Sequence, residues 1–319
     1  MVLKVVSRRL AYAVLTVLLA TLLVFVALQA LPGNLATQVL GQNATPAAVA
    51  RLQASLHLDR PAWERYVDWL GGAVHGDFGQ SLLSGQSVMS EAGLYMRNTG
   101  LLTLIVIAVG VPLSLILGVI AGLRRDRWPD FVISGGSLIG MSVPAFTVAT
   151  VLILLFAVKL NWLPAVVTAG PTASLSALMS AIWLPAASLA VGMAAYIVRM
   201  MRTSVIDVMA SDYVTMARVR GLSYRRVLLR HMLPNAMLPT LNVIAINIAW
   251  LVGGVVVVET VFNYPGIGTL MLEAVRTRDL PVLMFIAVLG SVTYVVCNLL
   301  ADLAAIWFNP RLRTPGRAG

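Results

Sequence analysis

The sequence predicts an all-α, polytopic membrane protein with six transmembrane helices and both termini in the cytoplasm. Three observations predict it. Of the 319 residues, 59% are hydrophobic and only 11% charged, where a soluble domain carries about a quarter charged residues. Six apolar runs, about 10–30, 99–123, 132–158, 181–198, 240–262 and 281–307, reach the ~18 residues that cross a bilayer. Basic residues alternate in density between the connecting segments. With the N-terminus inside, the inner segments hold sixteen of the 23 Lys and Arg residues. They are Lys4, Arg8, Arg9, then Arg124, Arg125, Arg127, then seven from Arg199 to Arg230, then Arg311, Arg313 and Arg317. The positive-inside rule sets the orientation from that excess. It also explains the net charge of +10 better than nucleic-acid binding does. Residues 1–319 read as one transmembrane domain.

The first run follows a basic start and ends near small residues at Ala27 and Ala30, as a cleaved signal peptide can. Its twenty or so apolar residues exceed a usual signal core of about 7–15, so we read it as a retained span. The outer segment 31–98 is too long for a bare connection. Thr45-Pro46 predicts a helix over Ala47–Leu56, and Pro61 a second through Leu70, broken by Gly71, Gly72, Gly76 and Gly79. Between the second and third spans lies the basic turn Arg124 to Asp130. Gly118/Gly122 and Gly136/Gly140, one pair in each span, have the small-xxx-small spacing that lets helix backbones approach. They predict close packing of this hairpin. Pro185 makes the start of the fourth span the hardest to place. The fifth outer segment opens on Asn263-Tyr-Pro-Gly-Ile-Gly268, a turn signal, with a helical turn or two over Thr269–Arg276. Cys297 stands alone in the last span, so no disulfide forms within the chain.

The inner segment 199–239 is the most informative. Asp212 to Arg220 reads as a helix with Arg218 and Arg220 in its last turn, where cations complement the dipole. Gly221 supplies a left-handed residue to end it. Ser223 can cap a second helix, Tyr224–Met232, carrying Arg225, Arg226 and Arg230, with Pro234 stopping it. Val214, Ala217, Val219, Leu222, Val227 and Leu228 leave apolar patches on both helices; the membrane can cover one and a partner protein the other. Arginines lying on anionic lipid would explain the charge, at about 1 kcal/mol each. That reading does not explain the bend at Gly221-Leu222, because a surface helix gains from continuity.

The pattern Asp212-Tyr213-x-x-x-Ala217-Arg218-x-x-Gly221-Leu222-Ser223, followed by Arg225-x-x-Leu228-x-x-His231-Met-Leu-Pro-Asn-Ala236, resembles the signature loop of ABC importer permeases. More narrowly, the chain resembles the first permease of the dipeptide, oligopeptide and nickel uptake family. Similar segments run through the chain: Gly76-Asp-Phe-Gly-Gln-Ser81, Ser142-Val-Pro-Ala-Phe146, Asn161-Trp-Leu-Pro164, Val258 to Gly268 and Asn298-Leu-Leu-Ala-Asp302. Two departures are visible. Arg220 stands where the family usually has Lys, and Asn309-Pro310-Arg311 replaces a common Asp-Pro-Arg ending.

The resemblance implies a type I ABC importer permease fold in the bacterial cytoplasmic membrane. It implies a second homologous permease, two ATP-binding subunits and an extracytoplasmic substrate-binding protein as partners, with membrane lipid around them. Asp212, Tyr213, Ala217, Arg218, Arg220, Gly221, Leu222, Ser223 and Arg225 would form the coupling helix that seats in an ATPase. The implied cargo is a di- or oligopeptide, with nickel or another small solute as the alternative. A passive channel or scaffold is the different-class alternative; scattered Ser, Thr and Asn form no continuous polar span face.

Residues for chemistry are few. A phosphate-binding loop needs Gly-x-x-x-x-Gly-Lys-Ser/Thr, and the only lysines, Lys4 and Lys159, follow no glycine. The chain is therefore expected to hold no cofactor, ATP and Mg being bound by the partner ATPases, and to be no enzyme. Gly140-Met-Ser142 superficially resembles a nucleophile site, but His57, His75 and His231 all fall outside the spans. His57 and His75 are too loosely spaced, without a third ligand, to predict a metal site. Ionisable groups at span edges are candidates for function. Asp302 near the inner end reads as a structural partner of inner arginines. Glu259 near the outer end reads equally as a gate residue or a structural one.

Overall fold

The computed structural model describes residues 2–30, 45–55 and 60–308, and their regular structure is helical apart from one isolated bridge between Gln80 and Ser87. The chain divides into two compact units. One comprises 1–99, 170–172 and 265–295, and the other 100–169, 173–264 and 296–319.

The first unit begins with α1 (Val2–Ala30). In its outer segment α2 (Pro46–Ser55) and α3 (Ala62–Val74) are the two expected short helices. Gly71 and Gly72 do not break α3. It runs on to Val74, because the chain folds back and the N–H of Asp77 donates to the Gly72 carbonyl. A Cβ at Gly72 would lie 2.8 Å from the Asp77 carbonyl oxygen. The break comes at Gly76 and Gly79, both at φ +85°, where glycine alone is unstrained. Phe25, Tyr66, Trp69, Phe78 and Phe285 form a chain of ring contacts, and Thr21 shares a 2.9 Å hydrogen bond with Tyr66. The helix of the second span, α4 (Val88–Ile105), starts well inside the segment assigned as outer loop. The short α13 (Ile267–Thr277) follows the Pro265 turn and precedes α14 (Leu280–Phe308). Buried Asp279 between them accepts a 2.5 Å hydrogen bond from Ser81. Asn98 donates to the carbonyls of Pro171 and Pro265, tying the unit's three sequence segments together.

The second unit is a bundle around α9 (Trp183–Met209). Helix α4 passes through a π turn, Val106–Gly110, into α5 (Val111–Leu123). The 36-residue helical run is roughly 54 Å long at 1.5 Å per residue, so it projects well beyond a hydrocarbon core of about 30 Å. The third span is broken into α6 (Trp128–Ser142) and α7 (Ala145–Leu152), the latter extended by a π turn, Ile153–Lys159. Its halves differ in direction by 115°. After α8 (Leu175–Ala181) and α9 come α10 (Asp212–Val219), α11 (Tyr224–Arg226), a π turn over Val227–Met232, and α12 (Leu233–Phe262). The stretch Tyr224–Ile248 turns by 56° from Gly253–Phe262.

Among the described residues four helices are by themselves long and apolar enough to cross a membrane, and counting each of the two bent pairs as one span gives up to six. Contacts show that both bent pairs run from one end of this unit to the other. At the α6 start, Asp130 binds Arg202 near the end of α9. Past the end of the α7 segment, Val167 donates its N–H to the carbonyl of Phe262 and joins a buried cluster with Ile182, at the start of α9. The α12 segment begins with Met232 and Ala236 on Met201 and Val205 and finishes at Phe262, where Asn263 donates to the Val167 carbonyl. Each bent pair therefore counts as one crossing, which gives the six expected spans. Pro185 poses no obstacle, since it falls in the first turn of α9, where no hydrogen bond is lost.

The glycine pairs pack, but not on each other. A Cβ at Gly118 would sit 2.6 Å from the Met201 Cβ, and one at Gly122 2.6 Å from the Val205 Cγ1. Gly140 likewise faces Val191 and Ala195, whereas Gly136 has open space. The partner of three of the four is therefore α9, fifty to eighty-odd residues on in sequence, rather than the other arm of the hairpin. Gly122→Leu is expected to cost roughly 1–3 kcal/mol by overpacking and to lower the melting temperature in detergent. Gly136→Leu should stay within about 0.5 kcal/mol of the parent. Equal melting temperatures for the two variants would refute this account of the interface.

Candidate functional site

The bend at Gly221 is built from the residue upward. Gly221 has φ +74°. Its N–H donates to the Arg218 carbonyl and that of Leu222 to the Ala217 carbonyl, the paired bonds of a Schellman motif. The accompanying apolar contact is also present. Leu222 packs against the buried cluster of Val214, Ala217 and Val227, as does Val208. The patch assigned to lipid or a partner is thus largely covered by the loop itself. What remains outside is different: Tyr213, Met216, Val219 and Tyr224 are exposed, Val219 to 77%, together with Asp212, Arg218, Arg220, Gly221, Ser223 and Arg225. The loop therefore presents a mixed apolar and cationic knob, held rigid from behind.

Its attachments differ from those expected. Arg199 and Arg202 lie on α9, which continues to Met209, so the connecting segment shrinks from 199–239 to 210–232. Only Ala210 and Ser211 separate α9 from α10. Ser223 occupies the N-cap position, φ −60° and ψ 144°, but its side chain makes no cap hydrogen bond. The second helix is a single α turn followed by a π turn, and Pro234 does not stop it. Pro234 enters the first turn of α12 directly after the π turn, just as Pro112 enters α5 after the π turn at Val106–Gly110. The missing proline N–H falls where the wider turn has already shifted the bonding register. The knob is thus joined to α9 by two residues and to α12 by unbroken helix.

Beside α9 the two bends meet in a cavity of about 580 Å³. Ser142, Pro144 and Phe146 line it from the broken third span, Tyr196 from α9, and Trp250 and Gly253 from α12. The Ser142 hydroxyl donates to the Leu138 carbonyl at 2.9 Å, so it serves its own helix. Glu259 is fully buried, near Val258 and Phe262 in the cluster at the outer end of α12, and presents no open face. Its carbonyl accepts from the Tyr264 N–H. Asp302 lies on α14, with its side chain outside the described residues. His57, the loosely spaced neighbour of His75, also lies outside them, as does Asn309-Pro310-Arg311; His75 Nδ1 contacts the Gly71 carbonyl at 2.8 Å.

An ion pair escaped the sequence reading. Asp130, in the first turn of α6, accepts from Arg202 Nε at 2.5 Å and Nη2 at 2.7 Å, from the Asp126 N–H and from the Ser134 hydroxyl. Two residues 72 apart, each in a basic stretch, gave no signal beyond their charges.

Residues 114–314 match the family model of the binding-protein-dependent transport system inner membrane component, and residues 2–90 match that of the N-terminal part of such membrane components. The chain belongs to this family of ABC importer permeases. The permease is 38% identical over 301 residues to a Brucella ovis protein named as a peptide permease, covering 92% of this chain and 93% of that one. It is 34% identical over 315 residues to the glutathione transport system permease protein GsiC of Escherichia coli, covering 98% and 99%. A crystal structure described as an amino acid ABC transporter with histidines superposes with a TM-score of 0.52 at 15% identity, over 68% of the permease and 94% of that chain. The shared fold is that of a type I importer permease, a multi-pass protein of the cytoplasmic membrane.

Proposed function

We propose that this permease forms half of a translocation pathway for short peptides and is driven by ATPases that grip the knob around Gly221. The other half would be a second homologous permease. Two ATP-binding subunits would seat the α10 knob, and an extracytoplasmic binding protein would deliver the solute. The knob carries the reading. It is rigid through its Schellman turn, exposes Tyr213, Met216, Val219, Arg218 and Arg220, and is joined to α9 by two residues and to α12 without a break. A push on it moves both helices, the kind of lever that a two-state rearrangement uses. Asp212, Ala217, Leu222, Ser223 and Arg225 shape or flank the knob. The names of the relatives support a peptide cargo, glutathione itself being a tripeptide.

Uptake by the complete importer in proteoliposomes tests the cargo. Labelled dipeptide should accumulate in an ATP- and binding-protein-dependent manner, in clear excess over nickel. Nickel accumulation with no peptide uptake would replace the peptide reading with its metal alternative. ATP-independent equilibration of either would favour a channel.

A further inference from the structure

The breaks in the third and fifth spans converge on one cavity, and their chemistry suits a particular ligand. Pro144 has no N–H, so the Gly140 carbonyl has no helical partner, and the chain turns before the Met141 and Ser142 carbonyls meet theirs. The next backbone bonds in the chain run from Thr147 and Val148 to the Pro144 carbonyl. The carboxyl end of α6, with its partial negative charge, thus ends at the cavity. Depth is set by α9: Gly140 faces Val191 and Ala195, and Tyr196 stands half-way along that helix. Non-helical backbone at such a depth persists only inside protein or beside a water-filled cavity. Many secondary transporters place substrate sites where discontinuous helices meet near the midplane, and the same physics applies to the break here.

The walls are apolar and aromatic. Tyr196, Phe146 and Trp250 are 42%, 54% and 55% exposed, so each leaves part of its ring open to the cavity they line. Gly253 leaves room beside Trp250, since nothing lies within 4 Å of where its Cβ would be.

The geometry points to a solute subsite within the permease itself, at the α6–α7 break, that binds a peptide by its N–H groups and its side chain. Ammonium or amide N–H groups donate to the freed carbonyls at the end of α6, and an apolar or aromatic side chain lies against Tyr196 and Trp250. The inference rests on the peptide reading above. It adds that this chain discriminates among peptides after the binding protein has released them.

The test uses the complete importer in proteoliposomes, with Ala-Ala and Phe-Phe as probes. Trp250→Ala should lower Phe-Phe uptake about tenfold relative to Ala-Ala, the scale on which an apolar pocket discriminates. Gly253→Leu, which fills the cavity, should likewise exclude the larger peptide first. ATP hydrolysis stimulated by loaded binding protein should persist in both variants, showing an assembled complex. In a Cys297→Ser background, Ser142→Cys should react with a membrane-impermeant maleimide, and Phe-Phe should slow that reaction. Equal losses for both peptides would overturn the inference. So would an unreactive Cys at 142, which would mean that the second permease or lipid covers the break. An unaltered importer that carries neither peptide would overturn the peptide reading as well. Peptide import with unchanged selectivity in both variants would overturn only the subsite.

Discussion

Gly221→Val is expected to abolish ATP-driven uptake while leaving the permease in the membrane with its partners. The backbone at Gly221 is left-handed, φ +74°, and open space surrounds the position. The cost of a side chain there is therefore conformational rather than steric within this chain. A left-handed residue costs an L-amino acid roughly 1–2 kcal/mol, and a β-branched one more. The alternative is to leave the left-handed region, which breaks both Schellman bonds and pulls Leu222 from its contact with Val214, Ala217 and Val227. Either outcome strains or opens the turn, and the knob then loses the shape that an ATPase would grip. A loss of ~3 kcal/mol of coupling corresponds to a fall in uptake of about a hundredfold. Gly221→Asn supplies the control, since Asn visits the left-handed region readily; it should retain most uptake. ATP hydrolysis in the Val variant should no longer respond to loaded binding protein. Equal uptake by the Val variant and the parent in proteoliposomes would remove the lever from the mechanism.

That turn was legible because its requirement is local: one residue must be left-handed, and only glycine does that without strain. The number and direction of the spans were legible for a similar reason, since run length and the inside excess of arginine are read directly against the bilayer. What was hidden depends on partners distant in sequence or on register. The spacing of Gly118 and Gly122 announces a close approach but does not name α9 as the helix approached. Pro234 reads as a stop unless the preceding π turn is known. Ser142-Val-Pro144 was visible as a motif, yet nothing in it says that the helix turns by 115° there, or that the bend before Gly253 lies against the same cavity. Glu259 shows the limit of position as an argument. A carboxylate near a span end reads equally as a gate or as a structural group, and its full burial is visible only in the fold.

The Asp130–Arg202 pair makes the second large prediction. It is bidentate, with Asp130 only 4% exposed and Arg202 27%, and the carboxylate also sits at the positive end of the α6 dipole. Removing one partner from a well-buried pair costs about 3–5 kcal/mol. Because Arg202 retains some contact with solvent, Arg202→Ala should cost somewhat less, roughly 2–3 kcal/mol. Asp130→Asn should cost a similar amount, since it keeps the shape and the Ser134 partner but loses the charge. Arg202→Lys keeps the charge but cannot engage both carboxylate oxygens in the fork geometry, and should fall between. The double variant should lose much less than the sum of the singles, giving a coupling energy of about 1–3 kcal/mol in a mutant cycle. Melting temperatures in detergent measure this directly. Additive losses would mean that the two groups act independently. The pair also bears on the lever. Arg202 precedes the end of α9 by two turns, and its tie to Asp130 holds the start of the broken third span against the helix that the knob moves. Without it, movement of α10 should pass less completely to α6 and to the break at Ser142. Stimulated ATP hydrolysis should therefore survive better than uptake in Arg202→Ala, and the ratio of solute moved to ATP consumed should drop. If uptake and hydrolysis fell in step, the pair would be a stabilising contact with no part in transmitting the stroke.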